Sequence, residues 1–541
     1  MGSRLMMTVV VGLLLALPVT AAAQHDAHGG APAPASPAGE LPDYVATPIA
    51  LHPKALGPFT RPISSTNAEA QAFFDQGMQM MYAFARLDAI RSFREAWKRD
   101  PDCAICYWGE GWAWGSYLNG PMTADQSPFA YAATQKALAL RAKATPNEQA
   151  FIDALAVRYV KDFNADTRVE QDRAYAEAMR TVAERYPDDL DAGTLYADAL
   201  FLLEPRRGRR DINADSIKRL HGELERVLAM DIRHPGACHL YVHATESTVR
   251  PEKAAACAEL LEDSIPGASH INHMPSHTFN VMGRWADSVR GNTKAWHSDL
   301  KAEIGEGFAI YPSHNLHMLL FAASMDGQGA VAIQAGKDYA KLTDDTMYHV
   351  LTLVRFGRFD EVPAVTARPE RDIPAGMWDF AQGYAKLREG DVTFARAYLA
   401  RVTKAAETST QNFRAHPARV LLGIVGGILE GEILRQEGDL PGAIAVFERA
   451  VSLFDELEYD EPEPLPFAAR HWLGAALLEA ERFADAERVY RDSLTAHPHN
   501  GWSLYGLQRA LAAQGKPTAE VDADLEKAWA RSDTWLRGSR F

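Results

Sequence analysis

Apolar and small residues recur along the chain at helical spacing, and the pattern that they form repeats. Counting from Gly77, small or aromatic residues follow at steps of 12, 4 and 3, and the same steps start again at Gly431 and Gly474. The residues reached are Ala89, Phe93 and Ala96; Ala443, Phe447 and Ala450; and Ala486, Tyr490 and Ser493. Small residues let two antiparallel helices approach closely, and an aromatic ring fills the space between repeats. The pattern predicts a series of helical hairpins, and no alternating strand pattern competes with it.

Three stretches, EGDLPGAIAVFERAV, ERFADAERVYRDSL and GRWADSVRGNTKAW, resemble the turn and second helix of the tetratricopeptide repeat, a helix–turn–helix unit of 34 residues. The resemblance covers most of residues 67–541. It implies an all-α solenoid, a right-handed superhelix whose units contact mainly their neighbours and whose first helices line a concave groove. Residues 116–146 depart from the register, so we expect an insertion loop there.

The first 66 residues do not follow the repeat. Arg4, the apolar run LMMTVVVGLLLALPV and the small residues TAAAQ predict a signal peptide over residues 1–23, cleaved after Ala23. Residues 24–66 are rich in proline and alanine and predict an extended tether or a strap laid over the fold. We therefore expect a periplasmic or secreted protein with no membrane insertion after cleavage.

Charge excludes some partners. The chain of 541 residues has a formal net charge of −15 and no long basic run. Nucleic acids and anionic membranes bind clustered lysine and arginine, so neither is an expected partner.

Histidines are concentrated in one segment. Nine of the 18 lie in residues 234–317, and the pair His239 and His243 is separated from the pair His273 and His277 by 34 residues. Because 34 residues is the repeat period, the two pairs occupy equivalent places in adjacent units. Glu246 lies on the same helical stripe as the first pair.

A third pair follows in YPSHNLHML, on the next first helix. Neighbouring helix axes lie about 8–10 Å apart, so imidazoles on facing sides can share one ion or two. Imidazole with a carboxylate suits zinc, copper or iron. The predicted metal ligands are His239, His243, Glu246, His273, His277, His314 and His317.

Two interpretations of this segment remain open. One is a metal-dependent enzyme acting on a small molecule or peptide in the groove, with Glu246 as ligand or general base. HLYVH lacks the glutamate of the H-E-x-x-H motif, so a zincin helix is excluded. The other is a scaffold that binds a partner peptide in a histidine-lined groove without metal.

The four cysteines allow three disulfide connectivities. Pairs Cys103–Cys106 and Cys238–Cys257 are favoured in an oxidising compartment, and the second would brace the histidine-bearing helix. Weaker groove candidates are Glu110 with Asn119, and Arg470 with His471. The phrases CYWGE after Cys103, HMPSH and HNLH make the chain similar to a set of exported bacterial tetratricopeptide proteins.

Overall fold

The computed structural model describes residues 41–205 and 208–541, and in these ranges the chain is a succession of α-helices. Two short strands, β1 (Asn412–Phe413) and β2 (His416–Pro417), pair antiparallel. The predicted all-α class is therefore confirmed. The signal peptide expected at 1–23 and residues 24–40 of the tether lie outside the described residues. Across the described ranges, none of the helices combines the length and apolar character needed to cross a membrane.

The first part of the chain packs as successive helical hairpins. Its helices are α1 (Asp43–Ala46), α2 (Ala68–Tyr82), α3 (Arg86–Arg99), α4 (Ala104–Trp114), α5 (Ser127–Leu140), α6 (Pro146–Ala156), α7 (Arg168–Arg185), α8 (Leu190–Phe201) and α9 (Asp215–Met230). The insertion expected at 116–146 is shorter than predicted, because α5 occupies much of that range. Pro128 stands in the first turn of α5, where a missing N–H is tolerated.

The middle part contains the histidine-rich segment. Its helices are α10 (Pro235–Glu246), α11 (Ala255–Leu261), α12 (Ser269–His273), α13 (Pro275–Val281), α14 (Trp285–Ala302), α15 (Pro312–Met325), α16 (Gly329–Thr343) and α17 (Met347–Arg355). Pro235, Pro275 and Pro312 each open a histidine-bearing helix. Their fixed φ favours the first helical turn, so these helices start at defined positions.

The last part returns to regular hairpins. Its helices are α18 (Asp372–Arg388), α19 (Val392–Thr408), α20 (Ala418–Gln436), α21 (Leu440–Asp455), α22 (Arg470–Glu479), α23 (Phe483–Ala496), α24 (Gly501–Ala513) and α25 (Ala519–Trp529). The loop of residues 456–469 between α21 and α22 is longer than the other connections of this part.

Close approach of paired helices explains the recurring small residues. A Cβ added at Gly77 would lie 2.6 Å from the ring of Phe93, and one added at Gly431 would lie 2.3 Å from the ring of Phe447. Both aromatic rings are fully buried. The predicted register is confirmed, because the glycine of one helix receives the aromatic ring of the next.

The turn inside most hairpins contains one residue with positive φ. Glycine fills this position at Gly283, Gly327, Gly357, Gly390, Gly438 and Gly515. The equivalent residues after α2 and α22 are Phe84 (φ 59°) and Glu481 (φ 58°). A left-handed conformation costs a residue with a Cβ about 1–2 kcal/mol, so the backbone is strained at Phe84 and Glu481.

Distant units of the chain contact each other in two places. The resemblance implied contacts mainly between neighbouring units and did not predict these. In one place, Gly236 of α10 packs against Tyr82 of α2; a Cβ at Gly236 would lie 2.4 Å from the Tyr82 ring. In the other, the Trp285 indole of α14 donates a hydrogen bond to the Pro498 carbonyl at 2.8 Å. The hydrophobic core accordingly forms two large clusters, one within residues 45–311 and one within 289–511.

Residues 41–66 form a strap across the first part. The Tyr44 hydroxyl donates to Asp88 at 2.6 Å, and Arg61 forms ion pairs with Asp189 at 2.9 Å and Asp191 at 2.6 Å. The described part of the Pro/Ala-rich segment is therefore packed on the fold.

Candidate metal centre

Helix α10 carries two histidines and a carboxylate on one face. The Nδ1 of His239 donates to the Tyr82 carbonyl at 2.5 Å, and the Nδ1 of His243 donates to Glu246 Oε1 at 2.8 Å. These bonds fix the tautomer and leave a lone pair on each Nε2. Within the described ranges neither Nε2 has a hydrogen-bond partner. Both atoms are therefore available as ligands.

Helices α12 and α13 add three more imidazoles. His277 donates from Nδ1 to Oε2 of Glu246, and its Nε2 lies 3.2 Å from Nε2 of His273. Two nitrogens bound to one tetrahedral metal at about 2.0–2.1 Å would be separated by about 3.3 Å. His270 is 1% exposed, and among the described residues no hydrogen-bond partner contacts either of its ring nitrogens.

Helix α15 supplies the sixth ring. The ring centroid of His314 lies 4.7 Å from that of His273 and 5.7 Å from that of His277. Tyr311, which precedes the helix, packs edge-on against His270 at 5.0 Å. Three helical units thus meet at one buried group of imidazoles.

The six rings divide into two sets of three, which we call the first trio and the second trio. The first trio is His239, His243 and His270, and the second trio is His273, His277 and His314. In each trio one nitrogen from every ring lies within 4.8 Å of the others. Glu246 contacts one histidine of each trio, His243 and His277, and so connects them.

Burial keeps most of these imidazoles neutral. Removal from water lowers the pKa of His239, His270 and His273 well below the ordinary value, and repulsion from neighbouring imidazoles adds to this. The pKa of His243 is also lowered, chiefly by burial. A neutral imidazole presents a lone pair, which is the form that binds a metal ion.

Glu246 and His277 form a charged pair inside the cluster. Burial alone would raise the pKa of Glu246, but attraction to His277 and His243 holds it well below its usual range. Burial likewise lowers the pKa of His277, and the Glu246 carboxylate more than offsets this, so the pKa of His277 is raised. The carboxylate fixes the ring orientation of both histidines, as carboxylates behind metal-bound histidines do.

Phe84 covers the first trio. Its ring centroid lies 4.2 Å from that of His239, 5.8 Å from that of His243 and 5.5 Å from that of His270. The strained turn position after α2 therefore places an aromatic ring on three candidate ligands.

The second trio borders a cavity of about 560 Å³. His277 and Glu246 line it, together with residues 454–455 and 457–463. Among these residues, the Glu461 carboxylate approaches to 3.5 Å from His277 Nδ1. The second trio therefore contacts the cavity through His277.

His317, a predicted ligand, is placed outside both trios. Its ring lies 4.2 Å from the ring of Tyr348, and its Nδ1 is 3.1 Å from a guanidinium nitrogen of Arg414. Three residues along α15 turn it by about 60° from His314. It faces the last part of the chain, where a guanidinium donor approaches its ring.

Sequence reasoning missed three residues of the site. His270 is one helical turn before His273, so its spacing was a signal that could have placed it in the cluster. Phe84 and Glu461 carried no such signal, because each reaches the histidines through contacts between distant parts of the chain.

The predicted cysteines and Glu110 take part in disulfides or hydrogen bonds that stabilise the fold. The cysteines form the two favoured pairs, Cys103–Cys106 and Cys238–Cys257. Glu110 accepts hydrogen bonds from Arg94 at 2.6 Å and Trp97 at 2.7 Å, and Asn119 is buried.

The pair Arg470 and His471 lies apart from both trios. The Nε2 of His471 is 3.2 Å from the Ser503 hydroxyl, and Arg470 pairs with Asp455 at 2.6 Å. Arg470 also lines the far side of the cavity.

Comparison with known proteins gives limited similarity. No family model matches the chain, and no curated protein matches it. Solved structures that resemble it include the Cut9–Hcn1 hetero-tetramer of the APC/C (14% identity, 88% of this chain and 79% of that one, TM-score 0.29). Yeast Tom70 (12%, 86% and 99%, 0.29) and the P58(IPK) TPR domain (12%, 83% and 99%, 0.21) are further examples. At such TM-scores the functional argument rests on the site itself.

Proposed function

We propose that this protein holds two transition-metal ions, one at each trio, and acts as a metal-dependent enzyme on a small molecule or peptide bound at the second trio. The observation that carries the proposal is His270. A buried polar group without a hydrogen bond costs about 1–3 kcal/mol, and in the described part of the chain both of its nitrogens lack a partner. A metal ion shared with His239 and His243 would satisfy one of these two nitrogens.

The donor set supports zinc, copper or iron. Each trio offers three imidazole nitrogens, and the Glu246 carboxylate holds one ring of each trio from behind. Such nitrogen-rich sites are the ones that these metals prefer. A metal ion with three protein ligands supplies a Lewis acid with a position left for substrate. Both carboxylate oxygens of Glu246 accept hydrogen bonds from histidines, so we assign it the role of orienting ligands. Glu461, which lines the cavity, is the better candidate for exchanging a proton with substrate.

We further propose that the protein is exported to the periplasm or secreted. The support comes from the apolar leader before Gln24 and from two disulfides, which persist in oxidising compartments.

Metal analysis of the untagged protein, purified from the periplasm, tests the proposal. We expect about two ions per chain on elemental analysis, since each trio brings three imidazole nitrogens within 4.8 Å of one another. His239→Ala and His273→Ala should each lower the content to about one ion, because each removes one ligand from a different trio.

His297→Ala provides the matched control, since His297 lies exposed on α14 in the same segment. It should leave the metal content unchanged, and so should His317→Ala. Protein without bound zinc, copper or iron, whose melting temperature does not change when these ions are added, would contradict the proposal. Such a result, together with peptide binding in the cavity, would favour the scaffold interpretation.

A further inference from the structure

The cavity beside the second trio combines a charged wall with an apolar one. Carboxylates outnumber guanidinium groups in its lining, seven to two among the described residues. Asp455 pairs with Arg470 at 2.6 Å, and Asp460 pairs with Arg414 at 3.0 Å. Glu458, exposed between these two pairs, adds negative charge at the mouth of the cavity.

Glu461 extends the negative wall inward. Its carboxylate lies 3.5 Å from His277 Nδ1 and lines the cavity, so the negative wall runs from Glu458 at the mouth to the second trio. Trp285, Met318 and Phe321 add an apolar part to the lining. A ligand that is cationic on one side and apolar on the other matches both walls.

An unused hydrogen-bond acceptor lies in the same cavity. Asn280, one turn after His277 on α13, is 9% exposed and lines the cavity. Its Nδ2 faces the sulfur of Met318 at 3.8 Å, while no partner within residues 41–205 and 208–541 contacts its Oδ1. A buried acceptor without a partner favours a ligand that donates a hydrogen bond.

We propose that the cavity binds a short peptide carrying a basic group next to an apolar side chain. The inference builds on the proposed function, since the bound peptide would reach the second trio at His277. A cavity of about 560 Å³ falls within the range of small-molecule sites, and a dipeptide is of matching size. The ammonium group lies against Glu458 and Glu461, a peptide N–H donates to Asn280, and the apolar side chain packs on Trp285.

Calorimetric titration of the full chain, stripped of metal by a chelator, tests this. The probes are lysyl-phenylalanine and its acidic counterpart glutamyl-phenylalanine. We expect the basic dipeptide to bind at least about tenfold more tightly, because a carboxylate facing the negative wall is repelled. Measurement on metal-free protein separates the two proposals. If the protein binds the peptide but takes up no metal, the metal centre alone is refuted. If it takes up metal but does not bind the peptide, this inference alone is refuted.

Charge-removing variants locate the site. Glu458→Gln with Glu461→Gln should weaken lysyl-phenylalanine binding about fivefold, the range of partly exposed ion pairs. Glu456→Gln is the matched control, since Glu456 lies in the same loop but pairs with Arg419 at 2.9 Å outside the cavity; it should change affinity less than twofold. Equal affinity for both dipeptides, or an unchanged affinity in a folded double variant, would overturn the inference. If the double variant does not fold, the comparison of dipeptides on the unaltered protein still decides.

Discussion

The two trios are built from equivalent positions of adjacent units, yet their surroundings differ. The first is closed: Phe84 covers it, and the Tyr82 carbonyl holds His239 from behind. The second borders a cavity through His277. The difference arises because the turn after α2 packs directly on the first trio, whereas the loop between α21 and α22 approaches the second through Glu461 and borders a cavity beside it. Repetition thus supplies the ligands, and the non-repeating contacts determine which trio a ligand can reach.

The connection between the trios through Glu246 gives the largest expected effect. Glu246→Gln keeps the shape but removes the charge that faces His277, so we expect a loss of about 3–5 kcal/mol in the free energy of unfolding, as when one partner of a buried pair is removed. Metal affinity should fall about 10–100-fold at one trio, because the amide has a single accepting oxygen and one of the two histidines loses its orienting hydrogen bond. Glu246→Ala removes both bonds and should weaken metal binding at both trios. Urea denaturation and chelator competition measure the two effects.

Glu252→Gln serves as the control for this variant, because Glu252 lines the same cavity but pairs with Arg250 at the surface. It should leave both quantities nearly unchanged. If Glu246→Ala weakened metal binding at only one trio, Glu246 would not connect them.

Phe84 tests whether closure matters for the first trio. Phe84→Gly removes a buried ring, which costs about 3–5 kcal/mol, but it also relieves about 1–2 kcal/mol of backbone strain, so we expect a net loss of about 2–3 kcal/mol. A chelator should remove metal from the first trio at least about tenfold faster, since water then reaches the ligands. His273→Ala and His239→Ala backgrounds, each with one intact trio, separate the two rates in stopped-flow measurements.

Glu481→Gly isolates the strain term. Glu481 has the same left-handed turn conformation but is exposed and lies far from the histidines in the sequence. We expect a stabilisation of about 1 kcal/mol and an unchanged rate of metal release. Faster release in both glycine variants, or in neither, would contradict the assigned role of Phe84.

The sequence alone predicted the parts of this arrangement that repeat. The 34-residue offset placed His239 and His273 in equivalent positions, because consecutive hairpins stack with a constant geometry. His317 was assigned to the same site because its spacing is helical, but its ring packs on Tyr348 and faces Arg414 instead. Contacts between distant segments, such as Phe84 on His239, leave no periodic signal, so the closed and open character of the trios could not be inferred.

The buried carboxylates behind the two trios also differ. Asp191, behind Tyr82, is paired with Arg61 and hydrogen-bonded to His234, and its pKa lies below the ordinary range because attraction to the Arg61 guanidinium and these hydrogen bonds outweigh the effect of burial. Asp299 of α14, behind the second trio, accepts a hydrogen bond from Asn315 at 2.8 Å, and burial raises its pKa to about 7. The carboxylate of Asp191 is thus stabilised by a cation, whereas that of Asp299 is hydrogen-bonded to neutral donors.

Asp299→Asn makes this difference measurable. The unfolded chain releases this proton near pH 3.8, while the folded chain keeps it until about pH 7. The folded state therefore binds more protons between these values, and its stability falls as the pH rises, by up to about 1.4 kcal/mol per pH unit. The asparagine variant lacks this titration, so its stability relative to the unaltered protein should increase from pH 5 to pH 7 in urea denaturation. A pH-independent difference would show that Asp299 is ionised in the folded protein, and the contrast with Asp191 would then disappear.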